Sequence, residues 1–166
     1  MMKILAVSGW SGSGKTTLIA ALIPLLSARG LSVSTIKHAH HNVVLDKPGK
    51  DSYVHAEAGA QEVILTTGGS FALFSRRPAS LEALLNRLLP VDLVLIEGFK
   101  AEPFPRLGVY RAALGKSTPW PDKDLLAVAA DTPLPDCPVP TLHLNEPDRI
   151  ADFLISALGL NKSGNR

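Results

Sequence analysis

The chain has 166 residues, 46% of them hydrophobic, which suits one domain with a sizeable core and speaks against two independent folding units. Its formal net charge is only +2 and its basic residues are interspersed with acids, so composition gives no case for nucleic acid as a principal partner. No apolar stretch reaches the roughly 20 residues that span a bilayer, and the single cysteine, Cys137, has no mate for an intrachain disulfide. The expectation is a soluble, cytoplasmic protein with no membrane partner.

In chain order, Ile4 to Val7 is a continuous apolar run of strand length, suited to a strand buried on both faces of a parallel sheet. A glycine-rich loop follows at once. From Thr16 to Arg29, Leu18, Leu22, Leu25 and Leu26 recur at helical spacing, with Gly30 as a stop signal and Pro24 expected to kink or distort the second half. Leu31 to Ile36 alternates as a strand does, and Lys37 to Ser52 is a polar stretch long enough to suggest a functional loop.

Asp51 or Ser52 is placed to cap a short helix ending near Gly59. Val63 to Thr66 and Phe71 to Phe74, joined through Gly68 and Gly69, predict a hairpin. Ser80 caps a helix carrying Leu81, Leu84, Leu85 and Leu88, stopped by Pro90. Leu93 to Ile96, Leu107 to Tyr110 and Leu125 to Ala130 are further strands, and Asn145 opens a helix with Ile150, Phe153, Leu154 and Leu158 on one face, closed by Gly159. The alternation predicts an α/β fold of P-loop NTPase type, a mostly parallel sheet flanked by helices on both faces, with an antiparallel hairpin element. The predicted domain covers residues 1–160, and residues 161–166 form a polar tail expected to be mobile.

The segment Gly9-Trp10-Ser11-Gly12-Ser13-Gly14-Lys15-Thr16 matches G-x-x-x-x-G-K-[ST] between a strand and a helix. Glycines at these positions let the backbone turn its N–H groups around phosphate oxygens, and Lys15 neutralises the outer phosphates. Thr16 offers a hydroxyl to Mg²⁺, Thr17 is placed near the innermost phosphate, and the following helix aims its positive end at the anion. The nucleotide-binding set is therefore Gly9, Ser11, Gly12, Ser13, Gly14, Lys15, Thr16 and Thr17. Trp10 stands where some dimeric P-loop ATPases carry an additional lysine, which counts against a partner-activated ATPase of that type.

Asp92-Leu93-Val94-Leu95-Ile96-Glu97-Gly98 is an apolar strand bracketed by acids. Ligands of open α/β sheets bind beyond the carboxyl ends of strands, where Glu97 lies, whereas Asp92 is roughly 16 Å upstream at strand rise. Glu97 is the metal-site or water-positioning candidate, and Asp92 is expected to cap the strand entry. Asp46 and Asp51 flank Lys47-Pro48-Gly49-Lys50, and spacing does not choose between them as a second acid at the metal; Lys50 is either a phosphate contact or a solvated charge. His38, His40 and His41 form a cluster, but without Cys or Glu at zinc-like spacing it suits hydrogen bonding better than metal ligation. For base recognition, Asp131 follows a strand at its carboxyl end, where a carboxylate would accept from guanine N1 and N2; an ordinary turn residue is the alternative. Asn161-Lys162-Ser163-Gly164 lacks the final Asp of a guanine-reading motif.

With these residues in place the chain resembles the MobB family, the molybdopterin-guanine dinucleotide biosynthesis adaptor proteins. The matching stretches are Gly9 to Thr17, Ile36-Lys37-His38-Ala39-His40-His41, Asp46-Lys47-Pro48-Gly49-Lys50-Asp51-Ser52, Ala58-Gly59-Ala60 and Asp92 to Lys100, with Ile96 in place of the more usual valine. The likeness is weaker from Ala101 to Trp120. It implies a GTP-binding homodimer with at most weak GTPase activity, working beside the guanylyltransferase that attaches GMP to molybdopterin. It places the phosphate-loop role on Gly12 to Thr17 and the motif acids on Asp46, Asp51 and Glu97. From these follow Mg²⁺ as cofactor, metal ligands Thr16, Glu97 and Asp46, and catalytic roles for Lys15, Glu97 and Asp51. The competing reading is a small P-loop kinase acting on a metabolite, which would need an arginine-rich lid; only Arg76, Arg77 and Arg106 are available to it.

Overall fold

The computed structural model describes residues 2–39, 43, 44, 46–99, 102–119 and 122–160. The chain expected as one domain groups into two compact units, Met1–His38 with Leu88–Arg166, and Ala39–Arg87. The tail 161–166, His40, His41, Lys100 and Trp120 lie outside the described residues.

The first unit is built on six strands: β1 (Lys3–Ser8), β2 (Val33–Lys37), β5 (Leu93–Glu97), β6 (Arg106–Tyr110), β7 (Leu125–Ala130) and β8 (Thr141–His143). All pair in parallel, in the order β2-β5-β1-β6-β7-β8. The central strands are apolar throughout because both their faces are covered: Leu93 to Ile96 of β5 and Ala127 to Ala129 of β7 are fully buried. Strand β8 escapes sequence detection because it has three residues and its pairing comes from β7.

Among the described residues of this unit the α-helices are α1 (Lys15–Ala28) and α4 (Pro147–Leu158). Leu18, Leu22 and Leu26 of α1 and Ile150, Leu154 and Leu158 of α4 share one core with Leu5, Val7, Leu95 and Val109. Both helices therefore lie on the same face of the sheet, rather than one on each. On the other face at β7, Leu125, Val128 and Ala130 pack against Tyr110, Leu134, Cys137 and Val139, which gives Cys137 its place as a half-buried, unpaired thiol. Helix α1 runs on through Pro24 to Ala28, and α4 starts two residues after the predicted Asn145, with Gly159 in the left-handed conformation at its end.

The second unit contains α2 (Asp51–Glu57), the antiparallel hairpin of β3 (Glu62–Thr66) and β4 (Phe71–Ser75), and α3 (Leu81–Leu85). Ser80 caps α3 as expected, its side chain accepting from the Ala83 N–H at 3.2 Å, but the helix ends before Leu88. For α2 the cap position is Lys50, not Asp51 or Ser52. Ser52 already lies within the first turn of the helix, where it is buried and its hydroxyl donates to Asp46 at 3.1 Å. No helix among the described residues is long and apolar enough to cross a membrane.

Candidate functional site

The glycine loop leaves β1 at the carboxyl edge of the sheet and ends in α1. Its first glycine is dictated by space: at Gly9 (φ 155°) a Cβ would stand 2.4 Å from the Val109 carbonyl oxygen and 2.7 Å from Ser13 Oγ. Helix α1 begins after a left-handed Gly14, with no side-chain cap and no acidic residue in its first turn. That is the chemistry of an anion-binding helix start, where neither a cap nor a carboxylate competes for the amide donors. The Trp10 carbonyl accepts from the Ser13 N–H at 3.1 Å and from Lys15 Nζ at 2.9 Å, so the lysine lies across the loop. Ser13 Oγ is buried without a hydrogen-bond partner among the described residues. Thr16 and Thr17 face solvent.

Strand β5 runs beside β1, with Val7 opposite Glu97, and beside β2, with Lys37 opposite Glu97. This register sets three side chains together. Thr16 Oγ1 donates to the Glu97 carboxylate at 3.0 and 3.2 Å, and Lys37 Nζ lies 3.4 Å from Glu97 Oε2 and 3.3 Å from Thr16 Oγ1. The Glu97 side chain is only 13% exposed and that of Lys37 is 56% exposed. Lys37 is absent from the site that sequence spacing suggests.

After Glu97 the backbone turns through Gly98 (φ 105°) and Phe99 (φ 49°). A Cβ at Gly98 would stand 2.8 Å from the His38 Cβ, the His38 N–H donates to the Glu97 carbonyl at 2.8 Å, and the His38 and Phe99 rings meet at 4.8 Å. The Glu-Gly-Phe sequence thus has a steric cause, because the chain after β2 packs against it. His38 is used for packing and backbone pairing, and no group of three or more potential metal-ligating His, Cys, Asp or Glu residues occurs among the described residues. At the entry of β5, Asp92 takes the capping role expected of it, accepting from the Ser32 N–H and hydroxyl at 2.7 and 2.6 Å.

Asp131 follows β7 directly, and its Oδ1 accepts from the Ala112 N–H at 2.9 Å while its Oδ2 lies 3.9 Å from Arg111. Arg111 also flanks the loop, since a Cβ at Gly14 would lie 3.3 Å from its Nη2. Sequence spacing misses this arginine, which reaches the loop from the end of β6. Arg106, by contrast, is 4% exposed and paired with Asp122 at 2.8 Å, so it is an internal strut and not a lid residue. Beside the loop, Ser8, Gly9, Trp10, Tyr110, Thr118 and Asp122 are among the residues lining a cavity of about 200 Å³. The Trp10 indole donates to the Ser117 carbonyl at 3.0 Å, with Lys116 Nζ 5.7 Å from its ring centre.

The other two motif acids belong to the second unit. Asp51 is exposed in the first turn of α2. Asp46 holds Ser52 through Oδ1, while its Oδ2 is buried without a hydrogen-bond partner among the described residues. Lys50 is exposed at the cap of α2.

A glycine loop between the central strand of a parallel sheet and an uncapped helix, with a carboxylate at the end of the neighbouring strand, defines a P-loop-type α/β protein. Residues 4–131 match the family described as MobB, molybdopterin guanine dinucleotide synthesis protein B. The molybdopterin-guanine dinucleotide biosynthesis adapter protein of Haemophilus influenzae is 45% identical over 156 residues, covering 91% of this chain and 86% of the relative. That of Escherichia coli is 39% identical over 163 residues, covering 93% of each. The crystal structure of Bacillus subtilis MobB is similar with a TM-score of 0.75 at 28% identity, covering 94% of this chain and 98% of that one. The chain belongs to the MobB family.

Proposed function

We propose that this protein is a GTP-binding adapter of molybdopterin-guanine dinucleotide biosynthesis. In this reading it is a cytoplasmic homodimer that holds GTP with Mg²⁺ and assists the guanylyltransferase that joins GMP to molybdopterin. The observation that carries the nucleotide reading is the Thr16–Glu97 contact at the mouth of an uncapped glycine loop. The adapter role follows from the names its relatives bear.

The residues suit such a ligand. Lys15 is long enough to turn from the Trp10 carbonyl to the outer phosphates, the amides of the α1 start hold the inner ones, and Ser13 Oγ is available as a further donor. Mg²⁺ commonly takes one or two protein oxygens and leaves its other positions to phosphate and water, which fits a site of Thr16 and Glu97. When bound, the ion neutralises charge on the outer phosphates. Asp131 is assigned the guanine edge, because carboxylate oxygens retain acceptor capacity beyond the Ala112 bond. Hydrolysis is slow at most, with Glu97 holding the water.

Self-association is supported by the hairpin, where Ile64, Phe71 and Leu73 share one face and are 64%, 73% and 38% exposed. A second copy would cover them. Calorimetry with GTP and with ATP, each with Mg²⁺, tests the reading: GTP is expected to bind more tightly, and equal affinities would overturn the guanine assignment. Fast phosphoryl transfer to a metabolite would replace the adapter role with that of a kinase.

A further inference from the structure

We propose that the Lys37 ammonium competes with the divalent cation for Thr16 Oγ1 and Glu97 Oε2, so that metal binding and the departure of Lys37 from this pair are one event. The inference rests on reading the loop as a site for GTP with Mg²⁺.

The geometry is that of a cation already in place. Lys37 Nζ lies 3.3 Å from Thr16 Oγ1 and 3.4 Å from Glu97 Oε2, the two protein oxygens that the metal would use. Mg²⁺ requires oxygens at about 2.0–2.1 Å, so an ion bound there would meet an ammonium at repulsive range. The strand register makes the approach a property of the fold, since Lys37 and Glu97 are opposite each other in the β2–β5 pair. The register fixes where the Lys37 stem starts, and the ammonium at its end is free to swing away when the metal arrives.

The two partners differ in their freedom to leave. Glu97 is nearly buried, whereas Lys37 is more than half exposed, on a flexible stem whose compact charge water solvates well. A nearly buried carboxylate needs a counter-charge, and Lys37 supplies one. Lys15 lies instead across the loop on the Trp10 carbonyl, from which it would reach the phosphates and not Glu97, so the duties of the two lysines are separate. The metal consequently has to displace an ion pair, and Lys37 lowers the affinity for the divalent cation.

The test is a Mn²⁺ titration of the full chain with a non-hydrolysable GTP analogue, followed by electron paramagnetic resonance, with thermal melting as the folding control. Lys37→Met is expected to lower the half-saturating Mn²⁺ concentration by about two- to fivefold, the size of a partly exposed ion pair. Lys37→Arg, which keeps the charge, is expected to stay near the wild-type value. If Lys37 merely props Glu97 in place, Lys37→Met raises the midpoint; a raised or unchanged midpoint overturns this inference and leaves the site reading standing. Nucleotide binding by the wild type that is indifferent to Mn²⁺ and to chelator overturns both.

Discussion

The two units of this chain handle apolar surface in opposite ways. In the first, β1 and β5 are buried and the leucines of α1 and α4 close over them. In the second, a two-stranded hairpin leaves Ile64, Phe71 and Leu73 in water on one face. An isolated pair of strands is marginal without further strands or a covering layer, so the first unit completes its core within the chain, whereas the second presents a surface suited to another molecule. The glycine loop belongs to the unit that is already complete, the rigid setting that a phosphate site of the proposed kind would need.

The sharpest way to break this contrast is to remove side chains from each region. Leu22→Ala, fully buried in α1, is expected to cost about 2–5 kcal/mol of unfolding free energy by denaturant titration. Phe71→Ala should cost the dilute protein less than about 0.5 kcal/mol, and equal losses would erase the distinction. In self-association the hairpin variant should dominate: Phe71→Ala is expected to weaken the proposed dimer by about 1.5–3 kcal/mol in analytical ultracentrifugation, while an unaffected dimer would place the interface elsewhere. For the loop, Lys15→Ala should lose about 1.5–3 kcal/mol of GTP affinity by calorimetry with its melting curve intact. Unchanged affinity would remove the phosphate site from this unit.

A smaller effect separates two glycines of the first unit. Gly98→Ala meets both a left-handed backbone and the His38 Cβ at 2.8 Å, whereas Gly30→Ala meets the backbone term with no atom within 4 Å. The expectation is about 1–2 kcal/mol for Gly30→Ala and more for Gly98→Ala, read as the difference between their melting temperatures. The smallest effect lies in the second unit, where the hydrogen bond from Arg76, then its charge, holds Glu57 below the usual 4.5. A carboxylate with a depressed folded value stabilises fully above its unfolded value, and loses that contribution as pH falls through the folded one. Arg76→Gln should therefore leave stability at pH 3 nearly unchanged while lowering it slightly at pH 7, and a loss of equal size at both pH values would show that the pair is not the cause.

What sequence showed and what it hid divide along range of contact. The loop was legible because its chemistry is contiguous from Gly9 to Thr17, and β7 and the Ser80 cap because their signals are local. Glu97 was legible through strand direction alone. Lys37 and Arg111 were not, since they reach the loop through strand placement, which no local spacing reveals. The start of α2 at Asp51, with Lys50 in the cap position, was not legible either, since Ser52 is a sound capping residue that the structure instead places inside the first turn, donating to Asp46. The family was recognisable from its motifs, while the adapter role has no counterpart in any single side chain.

Trp10 places an intrinsic fluorophore on the glycine loop itself. Its carbonyl receives Lys15, its indole N–H reaches Ser117, and Lys116 lies over its ring. A ligand that draws Lys15 away from that carbonyl changes the polarity beside the indole, and emission follows. With two tryptophans in the chain, a Trp120→Phe variant leaves a single optical gauge at the loop, so occupancy can be followed in real time without a label.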